Sequence, residues 1–157
     1  MFDSNVNIIY GSAKTGKTMF LLDISNVLKS LGMKLFFLGC TGEFEDFRRN
    51  KTLSCFDDIR ITTTNNNLNN SKLIEVIKEI TENNNYDYIV VDDSDFLSDE
   101  TLKLLLDLKV KKIITSFTHN IDRFENSSNL FNISHVSNVD DYIKSILREQ
   151  KINKILK

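Results

Sequence analysis

Gly11-Ser12-Ala13-Lys14-Thr15-Gly16-Lys17-Thr18 fills the pattern G-x-x-x-x-G-K-[ST], and its reading decides the fold. Before it, Val6-Asn7-Ile8-Ile9-Tyr10 has the short, β-branched character of a buried strand. After it, Phe20, Leu21, Ile24, Val27, Leu28 and Leu31 recur at helical spacing and form one apolar face. Strand, glycine-flanked loop and helix are the context in which such a loop binds phosphate. Glycines let the loop wrap closely, its backbone N–H groups converge on phosphate oxygens, and the helix N-terminus adds partial positive charge. Residues Gly11 to Thr18 are therefore the expected nucleotide-binding loop. Lys17 is expected to reach the β- and γ-phosphates, and the Thr18 hydroxyl to ligate Mg²⁺.

The chain has 157 residues, of which 41% are hydrophobic, enough for one domain with a full core. We read residues 1–157 as a single unit, with 139–157 a C-terminal basic amphipathic helix. Its formal charge of −2 gives no global field that would draw it to nucleic acid or an anionic membrane. Proline and tryptophan are absent, Ala13 is the only alanine, and Asn, Ile, Lys, Phe and Leu abound, a bias that follows A- and T-rich codons. Cys40 and Cys55 have no C-x-x-C spacing and suggest neither a zinc site nor a disulfide. No apolar run approaches membrane-spanning length, so the expectation is a cytoplasmic protein without membrane insertion.

Beyond the first helix, Gly32 reads as its C-terminal cap and Met33 to Gly39 as a second buried strand, implying a right-handed parallel crossover. Cys40-Thr41-Gly42-Glu43 follows, then a charged segment with Arg48 and Arg49. Asp58 to Thr63 reads as a short third strand. Ser71 reads as the cap of a helix carrying Leu73, Ile74, Ile77 and Ile80, ended by Asn83-Asn84-Asn85. Tyr88-Ile89-Val90-Val91 then leads into Asp92 and Asp93. A buried parallel strand delivers a carboxylate at its C-terminal end beside the phosphates, so Asp92 is the expected Mg²⁺ partner. Ser98, Asp99 and Glu100 open another helix, with Lys109, Lys111 and Lys112 at its end as a solvated cluster. Ile113 to Ser116 is a fifth strand, Asn120 to Asn129 a polar loop, and Leu130 to Val136 a last strand.

The order of these parts resembles the RecA-like P-loop ATPases, which include recombinases, DnaB-type helicases and KaiC-like proteins. The phosphate loop, a strand ending in Thr41-Gly42-Glu43, the Ile89-Val90-Val91-Asp92 strand and a strand ending in Thr115-Ser116 carry the resemblance. It implies an α/β fold: a three-layer P-loop NTPase with a mainly parallel sheet of about five to six strands and helices on both faces. It also implies a further strand between the phosphate-loop strand and the Asp92 strand, and ATP bound at a subunit boundary. Glu43 occupies the place of the family's catalytic base, and Asp93 is the second choice, shorter by one methylene. Phe117 stands where helicase relatives carry a polar sensor, leaving Ser116, Thr118 or His119 as substitutes, and Arg48, Arg49 and Arg123 are possible arginine fingers.

The function expected from this resemblance is Mg²⁺-dependent ATP hydrolysis by a homo-oligomeric motor or remodelling ATPase acting on DNA. Lys17, Glu43 and Asp93 are its catalytic candidates, and Thr18 and Asp92 its metal partners. A small nucleoside or nucleotide kinase is the alternative. Against it stand few arginines, no evident lid, and the absence of the cysteine-rich tail of zinc-ribbon thymidine kinases. A nucleotide-binding module with little turnover is the third reading.

Overall fold

The computed structural model describes residues 2, 4–41, 53–61, 69–83, 85–124, 129–133, 144, 145 and 148. In chain order these give β1 (Val6–Gly11), α1 (Lys17–Ser30), β2 (Leu35–Gly39), β3 (Asp58–Ile61), α2 (Asn69–Asn83) and β4 (Tyr88–Asp92). A 3₁₀ turn (Ser94–Phe96), α3 (Asp99–Asp107), β5 (Lys111–Phe117), a second 3₁₀ segment (Thr118–Phe124) and β6 (Asn129–Asn132) follow. The six strands form one sheet in the order β3-β2-β4-β5-β1-β6. Every described pairing is parallel. The expected strand between the phosphate-loop strand and the Asp92 strand is β5.

Alternation along the strands builds two cores. Ile9, Leu35, Phe37, Tyr88, Val90 and Ile113 point to one side, where Phe20, Leu21, Ile24 and Leu28 of α1 cover them. Ile8, Phe36, Leu38, Ile89, Val91 and Ile114 point to the other, against Leu73 and Ile80 of α2 and Leu102 and Leu105 of α3. Strands buried on both faces read as unbroken apolar runs, which is why β2 and β4 were visible in the sequence. The result is the three-layer α/β architecture expected.

Local signals explain several boundaries. Helix α1 ends in a Schellman motif: Gly32 N–H donates to Lys29 O at 2.9 Å and Met33 N–H to Leu28 O at 3.1 Å. Gly32 takes φ 83°, a left-handed conformation that glycine adopts without a Cβ penalty. Ser98 caps α3, its side chain accepting from Thr101 N–H at 3.2 Å.

Other expectations are corrected. Helix α2 begins at Asn69, so Ser71 lies inside its first turn and is not its cap. Strand β5 begins at Lys111, earlier than its apolar residues indicate, and this draws Lys112 out of the expected solvated cluster. Lys112 is fully buried. Its Nζ donates to Leu106 O at 3.0 Å and to Leu108 O, carbonyls at the end of α3 that lack helical partners. Strand β6 spans Asn129–Asn132, and the expected stretch 134–136 lies outside the described residues. So does most of 139–157.

Candidate active site at the strand ends

In a parallel sheet all C-terminal strand ends lie on one edge, and here the register aligns them. Gly11 faces Phe117, and Gly39 faces Asp92. The phosphate loop leaves β1 at Gly11, turns through Lys14 at φ 60° and Gly16 at φ 85°, and enters α1 at Lys17. Thr15 Oγ1 donates to Ser12 O at 2.8 Å and closes the loop on itself. Ser12, Ala13, Lys14 and Gly16 are exposed, Thr15 and Thr18 half-buried, and Lys17 buried. Lys17 Nζ donates to Gly11 O at 3.2 Å and Ser12 O at 2.8 Å. Burial lowers the pKa of Lys17, opposed by the charges of Asp93, Asp95 and Asp92.

Asp92 ends β4 with no exposed surface. Its Oδ1 accepts from Thr115 Oγ1 and from Asp93 N–H, the latter at 3.1 Å. Its Oδ2 is buried without a hydrogen-bond partner. Burial, and next the charge of Asp93, push the Asp92 carboxyl up to about 6, while the Thr115 and Thr18 hydroxyls and Asp93 N–H favour its ionised form. A buried carboxylate with one unsatisfied oxygen, near enough to Thr18 for its hydroxyl to favour the ionised form, suits a hard cation. Mg²⁺ takes one or two protein oxygens and fills the rest of its shell with water and phosphate. Thr18 and Asp92 therefore fit the metal, although among the described residues no group of three or more His, Cys, Asp and Glu is arranged to hold one.

Asp93 adopts φ 57°, ψ 47° and opens the 3₁₀ turn. This left-handed conformation, uncommon outside glycine, is held by Asp93 N–H donating to Thr115 Oγ1 at 2.9 Å and by Ser94 Oγ donating to Thr115 O at 2.7 Å. Thr41 Oγ1 reaches Asp93 Oδ2 at 3.5 Å. Asp95 then takes Ser116 Oγ at 3.0 Å, Phe117 N–H at 3.1 Å and Asn120 Nδ2 at 2.7 Å. Residues 92–95 are thus zipped to the end of β5.

The structure brings Lys17, Thr18, Asp92 and Asp93 together. Glu43, Arg48 and Arg49 lie outside the described residues. Arg123, the third possible arginine finger, donates to Asp99 Oδ1 at 2.9 Å and Leu97 O at 2.7 Å, tying the second 3₁₀ segment to the start of α3. Thr115, read from the sequence only as part of a strand end, and Asp95 had been given no role in the site. Asp95 carried a faint signal, as the third acid in Asp92-Asp93-Ser94-Asp95.

The family model for thymidine kinase matches residues 4–146, a span that holds the phosphate loop, both acids and all six strands. The chain belongs to the thymidine kinase family. A comparison with curated proteins finds no match. Thymidine kinases are phosphotransferases that use ATP and Mg²⁺, in agreement with the expected cofactors. Membership corrects the expected ATP hydrolase and DNA motor, and kinship with DnaB-type helicases and KaiC-like proteins is not supported. The nucleoside kinase alternative is the better reading. Two arguments against it failed. The family match holds over residues 4–146 with Cys40 and Cys55, both buried, as the cysteines within it, so it does not depend on a cysteine-rich tail. The match holds with few arginines as well. No described helix is long and apolar enough to cross a membrane.

Proposed function

We propose that the chain transfers the γ-phosphoryl group of ATP to the 5′-hydroxyl of a nucleoside, with thymidine as the first substrate to test. The thymidine kinase match over residues 4–146 carries this reading. Backbone N–H groups from Ser12 to Thr18 cradle the phosphates, and Lys17 neutralises charge on the group in transit. Thr18 and Asp92 hold Mg²⁺, which draws negative charge from the phosphates when bound. Asp93 takes the hydroxyl proton as the nucleoside oxygen attacks phosphorus. The bond from that phosphorus to the bridging oxygen breaks, and ADP leaves. Asp93 suits this role because it is only half-buried and its charge acts on Lys17 more strongly than those of Asp95 and Asp92.

The test is transfer of label from γ-labelled ATP to thymidine and to other nucleosides, beside phosphate release with and without DNA. Labelled nucleoside monophosphate that requires Mg²⁺ and disappears in Lys17→Ala is the expected result. Free phosphate that rises with DNA, with no labelled nucleotide formed, would overturn the proposal.

A further inference from the structure

Phe117 ends β5, and its ring lies beneath the loop lysine: Lys17 Nζ sits 4.5 Å from the ring centroid. We propose that Phe117 is a positioning residue that holds the Lys17 ammonium in place for the nucleotide phosphates, an inference that rests on the reading of Lys17 as the phosphate-binding lysine. The ammonium has three N–H donors, and two are taken by Gly11 O and Ser12 O, the first carbonyls of the loop. The third remains for phosphate. An aromatic face attracts a cation through its quadrupole but carries no net charge. A carboxylate in the same place would form an ion pair that phosphate must break. The ring can hold the charge without competing for it.

The ring is itself fixed. In β5 Phe117 lies opposite Gly11, so any shift of the strand end would move the ring along the loop. Its N–H donates to both Asp95 oxygens, each at 3.1 Å. His119 stacks on it at 5.5 Å with an interplanar angle of 9°. Asp95 is anchored in turn by Ser116 Oγ and Asn120 Nδ2. A continuous path of contacts thus runs from the turn after Asp92 and Asp93 through Asp95 and Phe117 to Lys17.

The experiment is calorimetric titration of Mg-ATP into the full chain carrying Phe117→Leu, Phe117→Met or Phe117→Tyr, with melting temperature and steady-state kinetics alongside. Two ring-free variants guard against one failing to fold. Leu and Met are expected to weaken ATP binding by about three- to thirty-fold, the range for a cation–π contact, while Tyr stays within about twofold of wild type. The ATP KM should rise with the dissociation constant while the thymidine KM and melting temperature stay unchanged. Wild-type affinity or tighter binding in Leu and Met, or an equal loss in Tyr, would overturn the proposal. A wild type that binds ATP yet phosphorylates no nucleoside sinks the kinase reading alone, because the calorimetric comparison still decides the role of Phe117. A wild type that binds no ATP overturns both.

Discussion

Thr115 Oγ1 donates to Asp92 Oδ1 and so determines which oxygen of that carboxylate is left over. The same hydroxyl accepts Asp93 N–H, so one side chain on β5 orients the metal partner and holds the backbone of its neighbour. Thr115→Val keeps the shape and deletes both bonds. We expect it to cost about 1.5–3 kcal/mol in urea denaturation, the range for hydrogen bonds to a buried charged group. Thr115→Ser, which retains the hydroxyl, should lose about 1 kcal/mol for the missing methyl. A Val variant as stable as the Ser variant would deny the hydroxyl this role.

Asp92 and Asp93 should separate cleanly by substitution. Asp93→Asn is expected to keep Mg-ATP binding and slow phosphoryl transfer by about two to four orders of magnitude, the scale of a positioned general base. Asp92→Asn should instead raise the Mg²⁺ concentration needed for half-maximal rate. It should also make the nucleotide-free protein more stable near pH 7, by about 1 kcal/mol, because it removes a buried charge beside Asp93. Equal Mg²⁺ requirements in the two variants would reverse the assignments.

Gly32→Ala tests the end of α1. A Cβ there meets no atom within 4 Å, so crowding is not the cost. The strain lies in φ 83° alone, and the loss should be about 1 kcal/mol by thermal or urea melts. A neutral effect would mean that the Schellman turn relaxes freely.

Lys112 supplies a pH dependence of stability. Burial lowers its pKa to about 8, whereas the unfolded chain keeps the ordinary value of 10.5. Between these values the unfolded state binds more protons at this site, so its contribution to stability rises with pH. Cys55, raised to about 11 by burial, and Cys40, also raised by burial, act with opposite sign above about pH 9. The observable is therefore the difference between wild type and Lys112→Met in urea titrations from pH 8 to 10. That difference should shift steadily in favour of the wild type as pH rises, and a flat difference would contradict the burial of a titrating amine.

The phosphate loop was legible because its chemistry is written in consecutive residues, and the strands because burial on both faces leaves unbroken apolar runs such as Leu35 to Leu38. Contacts set by strand register were not. Thr115 meets Asp92, and Phe117 meets Lys17 and Asp95, only because β5 inserts between β4 and β1 at one particular offset, which no local pattern reveals. Lys112 was misread for a related reason. Lysines after a helix usually face water, but β5 starts two residues before its first isoleucine and carries the side chain inward. The kinase reading ranked second because it was weighed on features not seen, namely few arginines, no evident lid and no cysteine-rich tail, whereas the family is recognised from the residues present along 4–146.

Strand β1 has a consequence for the timing of assembly. Its neighbours are β5 and β6, and Asn7, which donates to Lys112 O at 3.0 Å, finds that partner 105 residues along the chain. Most of the sheet edge that carries the loop is therefore a long-range contact, and such contacts form slowly because loop-closure entropy must be overcome first. During synthesis the phosphate loop emerges about a hundred residues before β5, and it has no strand to lean on until Lys111 to Phe117 has left the ribosome. The ability to grip a nucleotide should thus arrive abruptly, when β5 joins β1, and not when the loop itself is made.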